Sequence, residues 1–595
     1  MKALKHINKY FLKYKWRFLS GFVFVIVSNI FAIFPAKITR DILDKVDHTI
    51  ADNVSKSPQE KLEMLKGPLL YYFLAVIAFF LLKGIFLFLM RQTIIVMSRL
   101  IERDMKNDLF QHYEVLSLAF YRRNNTGDLM NRISEDVSRV RMYIGPAIMY
   151  TLNLIALFIM VVTVMLKVNV RLTLYVLTPL PVMAVAIYYV STLMNKQSER
   201  VQEQQSRLST FVQESFSGIR VLKSFVREKQ SANDFERENQ LYKKKSIRLA
   251  TTNAIFFPLI LVLIGLSTIL TIYIGGIEAI HGNITKGTIA EFIIYINMLT
   301  WPVAAVGWVT SLVNRAAASQ ERINEFLNTK SEILSPVDGI KDFNGTIEFN
   351  NVTFVYPDSG VHALTNVSFK VEEGHSLAIL GRTGSGKSTI ANLIARMYDA
   401  TKGNVMINDY DIRALDLGML RSEMGMVPQD VFLFSDTIGN NIAFGLTENI
   451  DDKSMQTTIE KAARDAAIYS NIIEFPEGFN TKIGERGITL SGGQKQRISI
   501  ARAIIKKPKI LVFDDCLSAV DTQTEEEILN NLKEIMKDRT TVIISHRVSS
   551  VKNADHIIFL ENGIIAEEGT HYELLEKKGH YFNLYEKQLL EEEID

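Results

Sequence analysis

Ser376-Leu377-Ala378-Ile379-Leu380-Gly381-Arg382-Thr383-Gly384-Ser385-Gly386-Lys387-Ser388 is the stretch that decides how the second half of this chain folds. An apolar strand runs over 376–380, residues 381–388 match G-x-x-x-x-G-K-[ST], and the pattern predicts a helix from about Lys387. Glycine lets successive backbone N–H groups turn inward, and a helix N-terminus adds partial positive charge, so such a loop cradles phosphate. Lys387 brings a point charge to the terminal phosphates and Ser388 an oxygen to magnesium. The nucleotide-binding run is therefore Gly381, Arg382, Thr383, Gly384, Ser385, Gly386, Lys387, Ser388 and Thr389.

Further along, the strand Ile510-Leu511-Val512-Phe513 ends in Asp514-Asp515. One carboxylate is placed for the magnesium shell, and the next lies where water would attack. Two acids after an apolar run mean little alone; beside a phosphate loop they predict an ATP-hydrolysing α/β domain.

Toward the N-terminus the composition changes. The chain has 595 residues, too many for one ordinary domain, and its apolar residues crowd into the first 315 positions. Runs long enough to cross a bilayer occur at 18–34, 69–90, 143–166, 172–194, 254–280 and 289–313. The basic stretch before the first run, followed by Pro35 and Lys37 in place of small cleavage-site residues, reads as a retained span. Six crossings put both termini on one side. The connections 91–141 and 196–248, roughly fifty residues each and rich in Lys and Arg, mark that side as cytoplasmic. Apolar residues at helical spacing through Met105, Leu109 and Leu116, and through Leu208, Phe211 and Ile219, predict helical extensions of the spans. Breaks at Asn124 to Gly127 and at Ser217-Gly218 predict a short turn at each tip, where a soluble domain would dock.

A net charge of +2 without a basic, aromatic-laced run gives no sign of nucleic acid binding. The single cysteine, Cys516, excludes an intrachain disulfide, and the ten histidines show no zinc-ligand spacing. Within the spans, Lys83 either lines a central path or snorkels to an interface. Asn297, Trp301, Trp308 and Asn314, with Pro302, either line a substrate cavity or serve helix packing.

Leu490-Ser491-Gly492-Gly493-Gln494 resembles the signature sequence of ABC transporters, and with six preceding spans the whole chain resembles a half-transporter of the exporter type. The resemblance implies a six-helix membrane domain over 1–325, a linker over 326–345 and an ABC-type nucleotide-binding domain, an α/β P-loop fold with a helical subdomain, over 346–595. It implies ATP and Mg²⁺ as cofactors and a second half-transporter as partner, identical or a sister chain, in a multi-pass cell-membrane complex among lipid. Each ATP would lie between one chain's phosphate loop and the other's signature. Ser491, Gly493 and Gln494 would form the second phosphate nest.

Tyr356 resembles the aromatic that stacks on adenine, and Gln429, after Val427-Pro428, the glutamine reaching magnesium and water. Asp521 resembles the aspartate of the cross-dimer loop and His546 the switch histidine at the γ-phosphate. Glu485 lies in a stretch resembling the exporter loop that meets the membrane domain. The catalytic set is thus Asp515, His546 and Gln429, and the magnesium set Ser388, Gln429 and Asp514. The sequence departs from the family at Asp515, where Glu is usual. Its side chain is shorter by one C–C bond, about 1.5 Å, and a misplacement of about 1 Å costs around a hundredfold in rate. Slow hydrolysis is expected there, as in the weakened site of heterodimeric exporters, with a homodimer of two slow sites as the alternative. Efflux of small amphipathic or lipid-like substrates is the implied function. The alternatives are a lipid flippase, a peptide exporter, or an ATP-gated channel on the same scaffold.

Overall fold

The structure, a computed structural model, describes residues 3–446, 452–484, 487, 490–517 and 522–592. It divides into two compact units, Met1–His112 with Gly127–Thr329, and Tyr113–Thr126 with Lys330–Asp595.

Among the described residues, the first unit holds six helices long and apolar enough to cross a membrane. Their main segments are α1 (Lys15–Asp52), α2 (Pro58–Val115), α3 (Ile148–Val168), α4 (Pro179–Ser217), α5 (Glu228–Ile280) and α6 (Lys286–Asn328). The six apolar runs read from the sequence fall on these helices. With 58 residues, α2 rises about 87 Å, against roughly 30 Å of hydrocarbon. The excess is the extension that the helical spacing beyond the runs predicts. Only 6% of the apolar window of α2 is buried: Phe79 and Phe86 pack on Phe24, Phe31 and Phe34 of α1, while Phe73, Phe80, Leu81 and Phe88 are left exposed for lipid or another chain.

Several polar side chains between these helices are paired, as a water-poor setting favours. Asn29 donates to Asn153 Oδ1 at 3.0 Å, tying α1 to α3. Arg40 and Tyr295 both donate to the buried carboxylate of Glu291, at 3.0 and 2.8 Å, tying α1 to α6. Pro146 lies in a π-helical turn over Tyr143–Ala147, just before α3; a proline without N–H cannot continue the regular ladder.

The helical pattern breaks at both tips where the sequence predicts, at Asn124-Asn125 and at Gly218. Each break adjoins a short helix that the sequence reading does not include, Leu118–Arg123 after α2 and Ile219–Ser224 after α4. At the first tip Leu116 and Ala119 are buried, which gives that turn a hydrophobic reason to form.

In the second unit an antiparallel sheet of order β2-β1-β4-β5 contains β1 (Ile347–Val355), β2 (His362–Val371), β4 (Lys402–Ile407) and β5 (Tyr410–Asp411). A six-stranded sheet of order β10-β9-β3-β8-β7-β6 contains β3 (Ser376–Gly381), β6 (Met424–Val427), β7 (Ile510–Asp514), β8 (Thr540–Ile544), β9 (His556–Glu561) and β10 (Ile564–Gly569). Its five strands from β9 to β6 pair in parallel. Such a sheet must be covered on both faces, and β3 shows how. Leu377 and Ile379 enter one core with Ile390 and Val512, while Ala378 and Leu380 enter the opposite one with Ile500 and Leu511. Helices α7 (Lys387–Ile394) and α8 (Gly492–Ile504) complete the frame of the site.

Candidate functional site

The phosphate loop sits between β3 and α7 because glycine alone fits its backbone. Gly381 has φ 152° and Gly386 φ 100°, and a Cβ on either would lie 2.2 or 2.4 Å from a carbonyl oxygen, of Leu560 or Ala363. Gly384 turns at φ 83° with open space where a Cβ would be. Lys387 Nζ spans the loop, donating to the carbonyls of Gly381 at 2.8 Å and Arg382 at 2.9 Å. Ser385 is buried and, among the described residues, its hydroxyl has no hydrogen-bond partner, an orphan that costs free energy unless a ligand satisfies it. Burial holds the Lys387 ammonium pKa below its ordinary value, although Asp515 and Asp514 oppose this. An unsatisfied hydroxyl, a desolvated cation and a helix N-terminus together make an anion site.

Parallel pairing brings the carboxylates to the same end. Asp514 is paired with Ile544 across β7 and β8, and β3 lies on the other side of β8. Ser388 Oγ donates to Asp514 Oδ1 at 2.9 Å. Asp514 is only 4% exposed, and that burial raises its pKa against the opposing effect of the Ser388 hydrogen bond. Asp515 takes a left-handed backbone, φ 46°, with its N–H on Ile544 O at 2.9 Å. That turn aims its carboxylate at His546, whose Nδ1 is 2.8 Å from Asp515 Oδ1. Gln429 is exposed just beyond β6, whose Val427 is in register with Phe513 of β7. The sequence gives no warning of Gln588, on the C-terminal helix His580–Glu592, which donates to His546 O at 2.7 Å and accepts from Val548 N–H at 2.8 Å. It pins the segment that carries the histidine, and a lone Gln near a C-terminus has no motif to betray it.

Tyr356 sits just past β1 with its hydroxyl 3.0 Å from Thr389 Oγ1. The first tip, which belongs to this unit, reaches the same ring: the Arg122 guanidinium lies 5.1 Å from the Tyr356 ring centre, and its Nη1 is 3.5 Å from the Tyr398 hydroxyl. Arg123 forms an ion pair with Glu332. Arg122 is a link that sequence periodicity could not reveal.

Ser491 caps α8. Its hydroxyl accepts from Gln494 N–H at 3.3 Å, while Gln494 Oε1 accepts from Ser491 N–H at 3.0 Å. This reciprocal capping box gives Gln494 a structural task within its own chain; Gly493 is buried and Ser491 exposed. Glu485 and Asp521 lie outside the described residues.

In the first unit a cavity of about 390 Å³ opens between α4 and α6, lined by Ser191, Thr192, Asn195, Thr310, Ser311 and Asn314 among others. Of the span residues suspected from sequence, Asn314 lines it. Trp301 and Trp308 instead pack on Tyr150, with ring centres 5.6 and 5.4 Å away, and Asn297 donates to its own helix at Ile293 O. Lys83 is half-buried where Ser28 of α1 meets its backbone carbonyl at 3.4 Å.

Residues 18–303 match the family described as ABC transporter transmembrane region, and residues 364–518 match the ABC transporter family. The multidrug resistance-like ATP-binding protein MdlA of Escherichia coli K12 is 32% identical over 100% of this chain and 98% of that protein. The probable multidrug resistance ABC transporter ATP-binding/permease protein YheI of Bacillus subtilis is 34% identical over 99% and 98%. The ATP-dependent lipid A-core flippase of Syntrophus aciditrophicus is 33% identical over 88% and 86%. A bacterial Atm1-family ABC exporter solved with ATP bound superposes with a TM-score of 0.78 at 25% identity, covering 96% of this chain and 99% of that one.

Proposed function

The chain belongs to the ABC transporter family, with membrane and ATPase regions fused in one polypeptide that couples ATP hydrolysis to transport, and from that premise we propose that it is the slow-site half of a two-chain exporter of small amphipathic or lipid-like molecules. The observation that carries the slow-site reading is Asp515. Its carboxylate, one bond shorter than the usual glutamate, is engaged by His546 at 2.8 Å. A general base has to reach the attacking water, and geometry decides that before pKa does. The residues of the phosphate loop, Gly381 to Thr389, bind the phosphates of ATP, Lys387 meets their charge, and Tyr356 receives the adenine.

Magnesium suits the donor set here. Ser388 Oγ and the buried Asp514 carboxylate already converge at 2.9 Å, and Gln429 supplies a third hard oxygen, the ligand type this ion selects. When bound, the ion neutralises charge on the phosphate oxygens.

The dimer follows from the signature. The side-chain cap of Ser491 is closed by Gln494 of the same chain, so the nest is pre-ordered, and it serves the nucleotide of a second half-transporter. The Lys- and Arg-rich connections support a cytoplasmic position for the termini and the ATPase unit. The cavity between α4 and α6, lined by Ile187, Tyr188 and Val306 as well as Ser191, Thr310 and Asn314, is the candidate stretch of the transport path. Substrate accumulation against its gradient in sealed inside-out vesicles, dependent on ATP, tests the reading; flow only down the gradient would make the chain an ATP-gated channel.

A further inference from the structure

The cytoplasmic extensions of the spans carry positive charge in two places, and the structure treats them differently. Below the apolar runs of the second and third spans, cations are matched by acids. Glu102 receives Arg99 at 2.9 Å, Lys106 at 3.3 Å and Arg141 at 3.5 Å, and Arg103 lies 2.9 Å from Asp104. Below the fourth and fifth spans, Arg200 on α4 and Lys244 and Arg248 on α5 converge with Lys245 on one cavity of about 740 Å³, with Glu203 the only acid in its lining. Among the described residues, Arg200, Lys244 and Arg248 form no ion pair. The helices are held together beside the cavity by amides. Buried Gln204 donates to Glu238 and accepts from Lys245 at 3.0 Å, and buried Gln197 accepts from Thr252 at 2.9 Å. The gap is thus braced, and its unmatched charge is local to it, beyond the general excess of cations on cytoplasmic loops.

Depth identifies the ligand. The apolar run of α4 ends at Met194 and that of α5 begins at Ala254. Arg200 and Arg248 each stand six residues outside, about 9 Å along a helix, and Lys244 ten residues, about 15 Å. The headgroup layer adds roughly 5–8 Å to each side of the hydrocarbon, and long cationic side chains reach back toward it. We propose that this cavity is a binding site for the phosphate of an anionic lipid headgroup, held by Arg200, Lys244 and Arg248. It lies outside the ATP machinery, and it rests on membrane insertion and not on any choice of transported substrate.

The test uses the full-length chain, with its partner subunit if one co-purifies, in nanodiscs of phosphatidylcholine alone or of phosphatidylcholine with one quarter phosphatidylglycerol. Lipid retained on the protein after detergent release is counted by native mass spectrometry. Wild type should retain phosphatidylglycerol in preference to phosphatidylcholine. A surface cation adds attraction worth roughly fivefold in affinity. Arg200→Gln, Lys244→Gln and Arg248→Gln should therefore each weaken retention by about that factor, and the triple variant by on the order of a hundredfold, with basal ATPase unchanged. Arg220→Gln with Lys223→Gln, cations at the far tip, should leave retention as in wild type. Equal retention of both lipids, or equal retention by wild type and the triple variant, overturns the proposal. Inorganic phosphate titrated into phosphatidylcholine nanodiscs separates the sources. Weak binding, indifferent to the triple change, supports a lipid, whereas tight binding lost in that variant assigns the cavity to free phosphate and overturns the lipid reading. Single variants keep the test informative if the triple variant folds poorly.

Discussion

The two helix N-termini that we propose meet phosphate are prepared in different ways. At α7 the loop is electrically complete. Left-handed glycines open it, Ser385 offers an unsatisfied hydroxyl, Lys387 is desolvated, and Asp514 and Asp515 stand at the adjoining strand ends. At α8 the opening residues Ser491 to Gln494 carry no formal charge, the first cation being Lys495, and Ser491 and Gln494 close a cap between themselves. A charged cradle binds alone; a neutral, pre-capped nest adds little until another molecule's phosphate is brought to it. On the proposed reading, this contrast would let a single chain hold nucleotide while a second chain is needed to use it.

The largest effect expected from breaking this asymmetry is at the charged end. Lys387→Ala removes the main counter-charge for the terminal phosphates and should lower ATP-dependent transport by on the order of two to three decades, with the spans still inserted. Vesicle transport and a protease-accessibility assay of insertion measure the two together, and normal transport would sink the ATP-driven mechanism. Ser491→Arg comes next. It fills the neutral nest, and should cut turnover of the assembled complex by roughly one to two decades while nucleotide binding by the chain's own loop stays within a factor of about two. If binding to the same chain fell as far as turnover, α8 would be serving its own nucleotide and the division between the two ends would be wrong.

Smaller effects sharpen the picture at the rim of the charged site. Arg122→Ala removes a guanidinium from the face of Tyr356, an exposed contact worth about 0.5–1 kcal/mol, so ATP affinity should change by a factor of roughly two to five. Arg122→Lys should restore part of it. An unchanged affinity in both variants would show that the first tip touches the ring without influencing the nucleotide.

What could be read in advance was periodic or local. The six spans announce themselves by length and hydropathy, and residues 376–388 by glycine spacing, so helices α1 to α6, β3 and the loop fall where the sequence places them. The cap at α8 also fits a readable local pattern, Ser-x-x-Gln. Contacts between residues distant in the chain were illegible. Arg122 on Tyr356 and Gln588 on the His546 segment depend on how whole elements pack, which no window of sequence encodes. For the span tryptophans the sequence leaves cavity lining and helix packing open, and in the structure both touch Tyr150 while staying largely exposed.

Asp515 is where the account stands or falls. As the slow-site half of a heterodimer, the chain purified without a partner should hydrolyse ATP feebly, and Asp515→Asn should change the rate of the assembled exporter by less than about threefold, since the faster site uses the sister chain's carboxylate. Steady-state ATPase of the isolated chain, with and without Asp515→Asn, is the direct measurement. Feeble turnover that the substitution barely alters is the predicted result. Robust turnover that falls by roughly two to four decades in Asp515→Asn, the loss expected when the only general base is removed, would contradict it and establish a homodimer whose two sites both depend on Asp515.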